Sequence, residues 1–254
     1  MTRPLELHVR CALLDIEGTV ADIRFVYNVM FPFVREHLRA YLINHWDSPE
    51  LLQVLGLLAI DAGLAPDNAP WFVSRSESAA DRSHAIDHAQ HHVHELMDSD
   101  SKTTGLKALQ GLIWESGFRS GALRAELFDD VVPALEKWKA HGINLKIYSS
   151  GSILAQKLFF GHTTHGDLTP FFSAYFDTTT GSKREAASYD KIARASKIDP
   201  SEIVFFTDVF AEIDAAVSTG MHVVAVVRPN NAPLPESYHG HRIHDLSAVE
   251  LRLP

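Results

Sequence analysis

The sequence predicts an α/β fold: a parallel β-sheet with helices on both faces, and a helical domain inserted after the first strand. Three observations carry this. Short apolar runs alternate with helix-patterned segments over 126–254, and such alternation builds a parallel sheet covered on both sides. Three of the apolar runs stop at a polar residue: Asp15, Ser149 and Asp208. Residues 23–125, between the first and second runs, show helical periodicity and no strand signal.

The elements follow in order. "HVRCALLD" (8–15) reads as a buried strand, short, apolar and ended by a polar cluster. "VMFPFVREHLRAYLINHW" (29–46) and "ELLQVLGLLAI" (50–60) read as helices. "GLAPDNAPW" (63–71) is a loop with two prolines, and a long helical stretch over about 80–128 is broken near "DSDSKTTG" (98–105). "DVVPALEKWKAHG" (130–142) is a helix with Pro133 in its first turn and Gly142 as its stop. A strand over 143–148 lies within "GINLKIYSSG", and "AYFDTTTG" (174–181) is a shorter strand candidate. "EIVFFTD" (202–208) is the clearest strand, "VFAEIDAAVSTG" (209–220) a helix stopped by Gly220, and "MHVVAVVRP" (221–229) a further strand. The expected domains are a catalytic core over 1–22 and 126–254, and a helical domain over 23–125.

Composition narrows the function. The chain has 254 residues, 46% of them hydrophobic, enough for a full core. Lys and Arg number 23 against 32 Asp and Glu, a formal charge of −9, which argues against nucleic acid or an anionic membrane as the main partner. The lone cysteine, Cys11, cannot form an internal disulfide and reads as a core residue of a protein in a reducing compartment. There is no signal-peptide pattern, and no apolar stretch reaches the roughly 18–20 residues that span a bilayer. A soluble cytoplasmic protein is expected, and a monomer, because core and insertion consume the apolar helices and strands.

In parallel sheets ligands bind beyond the carboxyl ends of the strands. Asp15, Glu17, Ser149, Ser150, Asp208 and Glu212 should gather there, with Lys183 from "TTTGSKREAASYDKIA". Clustered carboxylates repel unless a cation sits among them, and all-oxygen ligands point to magnesium. Asp208 is the best direct ligand and Asp15 the second. Glu212, one helical turn on, is placed for the ion's water shell. Lys183 and the Ser149 hydroxyl complete a phosphate site. Lys183 is favoured over Arg184 and Lys191 by its place directly after Gly181 and Ser182. Ser149 and Ser150 could equally cap the helix that follows, and capping and phosphate binding use the same amides. Asp15 can attack phosphorus, and Glu17 can protonate the leaving oxygen and then activate water.

A strand ending in Asp-x-(Asp/Glu)-Gly-Thr, a Ser at the second strand end, a later Lys and a final strand-end Asp resemble the haloacid dehalogenase-type phosphatase superfamily across nearly the whole chain. More narrowly, "DIEGT", "TTGLKALQGLIWESGF", "DDVVPALEKW", "IYSSGSILAQKLFFGHTTHGDL", "YFDTTTGSK" and "FFTDV" resemble the enolase-phosphatases of methionine salvage. Glu17 is the narrow marker, since the wider superfamily usually has Asp there.

The resemblance implies a Rossmann-like core with a helical cap that closes over the substrate. It also implies magnesium-dependent enolisation and then dephosphorylation of 2,3-diketo-5-methylthiopentyl 1-phosphate to an acireductone. By position, Asp15 is nucleophile and metal ligand. Glu17 touches the metal, typically through its backbone carbonyl, and handles protons. Ser149, Ser150 and Lys183 bind substrate phosphate, and Asp208 binds magnesium. Glu17 and Lys183 are both candidates for the enolisation base. The rival readings are a generic small-molecule phosphatase on the same core and a metal-free haloacid dehalogenase.

Two features depart from the family. Asn230 in "VVRPNN" stands where Gly is expected, although Asn tolerates left-handed geometry. "SHAIDHAQHHVHELMD" is rich in histidine, and His84, His88 and His91 share a helical face, read as solvated in preference to a transition-metal site. Phe25, Tyr27, Trp71 and Trp114 are candidates for an apolar substrate pocket, with core packing the default for aromatics.

Overall fold

The computed structural model describes residues 4–72 and 78–254, and the chain divides into two compact units: Met1–Asn28 with Arg124–Pro254, and Val29–Leu123.

The strand expected over 8–15 is the shorter Cys11–Leu14, and a separate strand precedes it. β1 (Leu5–His8) and β2 (Cys11–Leu14) are separated at Val9 and Arg10, because the chain changes partners there. The Val9 amide donates to the Arg252 carbonyl, whereas the Arg10 amide donates to that of Glu202, each at 2.8 Å. A short turn, α1 (Ile23–Phe25), follows with Asp22 capping its start.

The second unit is helical: α2 (Phe31–His45), α3 (Pro49–Asp61), α4 (Ala79–Asp98) and α5 (Thr104–Ser120). Ser48 caps α3 ahead of Pro49, and Ser78 with Asp81 forms a reciprocal capping box on α4. Leu38, Leu42, Leu51, Leu58, Val93 and Leu109 are buried. α5 packs tightly on α3, since a Cβ on Gly105 would meet the Leu58 amide nitrogen at 2.5 Å. The helix expected to run to 128 stops at Ser120, where Gly121 takes a left-handed φ of +79° and closes it. Trp71 and Trp114 are buried, and their indole N–H groups donate to the carbonyls of Leu55 and Met30. His84, His88 and His91 are exposed along α4, and His91 pairs with Glu95.

The chain then enters α6 (Val131–Ala140), β3 (Asn144–Tyr148), α7 (Ile153–Gly161), β4 (Phe172–Phe176), α8 (Ala186–Ser196), β5 (Ile203–Thr207), α9 (Phe210–Val217) and β6 (His222–Val226). The expected strand over 174–181 thus lies earlier, and Asp177 to Gly181 form the turn after it. β7 (His241–Ile243) and β8 (Val249–Arg252) were not anticipated. The main sheet is parallel throughout, with order β4-β3-β2-β5-β6-β7, and β1 pairs with β8 in a separate parallel ribbon.

Helices cover both faces. Cys11, Leu13, Phe205 and Val223 join Tyr189 and Ile192 of α8 and Ile213 of α9 in one apolar cluster. Residues of opposite parity face the other way: Phe206 stacks on Trp138 of α6 with ring centroids 5.1 Å apart. Cys11 is fully buried, and burial pushes its thiol up to about 12, which suits packing and not nucleophilic chemistry. Among the described residues no helix is long and apolar enough to cross a membrane.

Candidate active site

β2 pairs with β3 on one side and β5 on the other, so the chain leaves β2 where the strand order reverses. That crevice is the habitual ligand site of such sheets. Asp15 stands there, buried, its amide donating to the Phe206 carbonyl at 3.0 Å. Its Oδ1 accepts from the Ile16 amide at 2.8 Å and lies 2.6 Å from Lys183 Nζ.

Lys183 is buried and also lies 2.8 Å from Glu212 Oε2. Burial opposes its charge, but Asp15 and Glu212 together outweigh that and hold the ammonium above its usual range. The turn carrying it is pinned: Tyr148 donates to the Gly181 carbonyl, Ser188 to that of Ser182 and Tyr189 to that of Lys183. Arg184 is exposed, and Lys191 donates to the Thr180 carbonyl.

Glu212 was expected to face an ion's water shell. It holds Lys183 and accepts from Thr207 Oγ1 at 2.7 Å. Thr207, at the end of β5, escaped the sequence reading, although it stands beside Asp208 in the quoted strand. Its hydroxyl accepts from the Val209 amide and lies 3.5 Å from Asp15 Oδ2.

Glu17 Oε2 accepts from Ser149 Oγ at 3.1 Å, and that oxygen accepts from the Gly151 amide, also at 3.1 Å. Ser149 is buried and Ser150 exposed; the helix cap is Ser152, which accepts from Ala155. Gly18 turns the chain after Glu17 with φ +76°, and Asp208 packs over it, where a Cβ would meet Asp208 Oδ2 at 2.5 Å. The structure thus brings Asp15, Glu17, Ser149, Lys183, Asp208 and Glu212 to one edge of the sheet.

Four carboxyl groups share one ammonium there. Burial, then Asp15, pushes Asp208 up to about 7, and the same causes push Glu212 up to about 7. Burial, then Asp15, also raises Glu17. Asp208 Oδ1 is buried with no hydrogen-bond partner. Such a site lacks positive charge. Among the described residues no three His, Cys, Asp or Glu side chains converge as a complete ligand set. Magnesium keeps several waters and takes one or two protein carboxylates. Asp15 and Asp208 fit that role.

Two further groups lie outside the sequence reading. Arg228 is buried and makes a two-pronged pair with Asp130, at 2.9 and 2.8 Å, and its Nε donates to the Thr19 carbonyl. Asn231 Nδ2 donates to the Gly18 carbonyl at 2.8 Å. Asn230 takes the left-handed φ expected of it, +72°.

The family model of the haloacid dehalogenase-like hydrolases matches residues 9–220. The chain belongs to that family. Among haloacid dehalogenase-like hydrolases, the enolase-phosphatase E1 of Sorangium cellulosum is 43% identical over 92% of this chain and 94% of its own length. The crystal structure of the UTR4 protein of Saccharomyces cerevisiae superposes with a TM-score of 0.74 at 31% identity, covering 94% of this chain and 98% of that one. The magnesium-bound haloacid dehalogenase-type hydrolase YfnB of Bacillus subtilis shares the fold, with a TM-score of 0.55 at 16% identity over 95% and 96% of the two chains.

Proposed function

We propose that this chain is a magnesium-dependent enolase-phosphatase. It enolises 2,3-diketo-5-methylthiopentyl 1-phosphate and then removes the phosphate, giving the acireductone of methionine salvage. The observation that carries this reading is the site itself: a buried carboxylate at the switch point, a second carboxyl two residues on, and one lysine held between acids. Relatives named enolase-phosphatase E1, similar over nearly the whole chain, support the substrate.

Asp15 Oδ2 attacks phosphorus while Oδ1 stays on Lys183, so the nucleophile is oriented by its own second oxygen. Asp15 and Asp208 would hold a magnesium ion, whose charge would offset that of the phosphate dianion. Lys183 and Ser149 bind the phosphoryl oxygens. Glu17, kept neutral more readily than an exposed carboxyl by burial and Asp15, donates a proton to the leaving oxygen. It then takes one from the water that opens the aspartyl-phosphate. Enolisation comes first and supplies the proton given to the leaving oxygen: Glu17 in its ionised form takes it from carbon, the enolate oxygen is protonated from water, and the proton Glu17 later takes from the hydrolytic water returns to solvent. Lys183, held in its charged form by two acids, has no free pair to offer. The helical unit acts as the cap domain in this reading.

The test is to follow absorbance and free phosphate together from the diketone phosphate. An enediol chromophore should rise with phosphate and both should stop in chelator. Phosphate release with no chromophore would leave a generic phosphatase, and turnover in chelator would favour a metal-free dehalogenase.

A further inference from the structure

The segment Arg228 to Asn231 lies outside the catalytic set, yet it reaches the acidic loop at consecutive carbonyls. Asn231 Nδ2 donates to the Gly18 carbonyl at 2.8 Å and to that of Val226 at 3.2 Å, tying the loop to the end of β6. Arg228 Nε donates to the Thr19 carbonyl at 3.1 Å, and the guanidinium is itself fixed by Asp130 and by the His244 carbonyl. Asn230 Nδ2 reaches Asp22 Oδ2 at 3.3 Å.

The second feature is what Asn231 leaves unused. Its amide is committed through nitrogen, while Oδ1 is buried with no hydrogen-bond partner. That oxygen lies over Gly18 beside the Asp208 carboxylate: a Cβ on Gly18 would meet Asp208 Oδ2 at 2.5 Å and Asn231 Oδ1 at 3.0 Å. Asp208 Oδ1 is likewise buried and unpartnered. A buried acceptor left without a donor beside a carboxylate that itself has an unpartnered oxygen costs free energy unless a donor arrives. A hydrated cation supplies such donors through its own water molecules, and magnesium keeps several.

We infer that Asn231 is a positioning residue of the cation site: Nδ2 sets the Gly18–Thr19 turn, and Oδ1 accepts a hydrogen bond from the ion's hydration shell. The inference rests on the magnesium reading above. It distinguishes Asn231, which faces the carboxylates, from Asn230, which ties the loop only to Asp22. Residues of this outer kind typically change metal affinity by about 10–100-fold when removed.

The experiment titrates MgCl2 into wild type, Asn231→Ala, Asn231→Ser and Asn230→Gly. It reads the magnesium-induced rise in melting temperature without substrate, and the magnesium concentration for half-maximal phosphate release. Both Asn231 variants should need roughly tenfold or more magnesium in both readouts, with kcat at saturating magnesium within about threefold of wild type. Asn230→Gly should match wild type, since glycine suits φ +72°. The serine variant, which keeps a small polar side chain, serves if the alanine variant does not fold, and unchanged magnesium midpoints in either folded variant overturn the inference. If wild type shows no magnesium response in either readout, the magnesium reading itself falls, and the role of Asn231 with it.

Discussion

Gly18→Ala places a methyl group where the site has no room. Gly18 takes φ +76°, and a left-handed backbone costs an L-residue about 1–2 kcal/mol. The added carbon would meet Asp208 Oδ2 at 2.5 Å and Asp208 Cγ at 2.7 Å, so the whole carboxylate must swing away. Reaching ordinary contact at 3.4 Å requires a retreat of about 0.9 Å. Displacements near 1 Å in a catalytic constellation cost about 100-fold in rate.

The expected result is a loss of roughly 2–8 °C in melting temperature and about a 100-fold loss of phosphate release, with a higher magnesium requirement. Gly63→Ala is the control: its φ is +74°, but nothing lies within 4 Å of the added carbon. It should show the small thermal loss and keep full activity. Thermal melts and phosphate release on both variants decide the matter. Activity of Gly18→Ala within twofold of wild type would refute the packing of Asp208 over Gly18 as a requirement.

Glu17→Ala should slow hydrolysis of the covalent intermediate, so acid-quenched protein from labelled substrate should retain more phosphate than wild type; an unchanged rate with no label counts against its proton role. Arg228→Met leaves Asp130 buried without its partner and should cost about 3–5 kcal/mol in urea unfolding, whereas a loss under 1 kcal/mol would show that the pair does not tie the loop to the core. Asp208 and Glu212 sit near 7 when folded, against an ordinary carboxyl value of about 4, so the folded state holds their protons more tightly. Their stabilising contribution is complete below about pH 4 and is lost as pH rises to about 7. In chelator, melting temperature should therefore fall from pH 5 to pH 8, and magnesium should raise it more at pH 8 than at pH 5. A flat profile in chelator would contradict the shared burial of these acids.

Strand ends were the legible part of this sequence. Asp15, Ser149 and Asp208 each interrupt an apolar run, and a parallel sheet gathers such interruptions whatever the intervening chain does. The ribbon of β1 and β8 left no such trace. Leu5–His8 is only partly buried, and it pairs with Val249–Arg252 at the far end of the chain. Glu212 shows the limit of spacing arguments. Its place one helical turn from Asp208 gave no hint that it pairs with the buried ammonium of Lys183. Arg228 and Asn231 lie in a segment the sequence reading singled out for Asn230. Their contacts with Thr19, Gly18 and Asp130 join residues remote in sequence, which no local pattern encodes.

The most direct test of the account is where substrate phosphorus goes. Enzyme mixed with phosphate-labelled diketone substrate and magnesium, quenched in acid within the first turnovers, should carry label on the peptide containing Asp15, and Asp15→Asn should carry none and release no phosphate. Phosphate release at near wild-type rate from Asp15→Asn, with no label on that peptide in wild type, would contradict it.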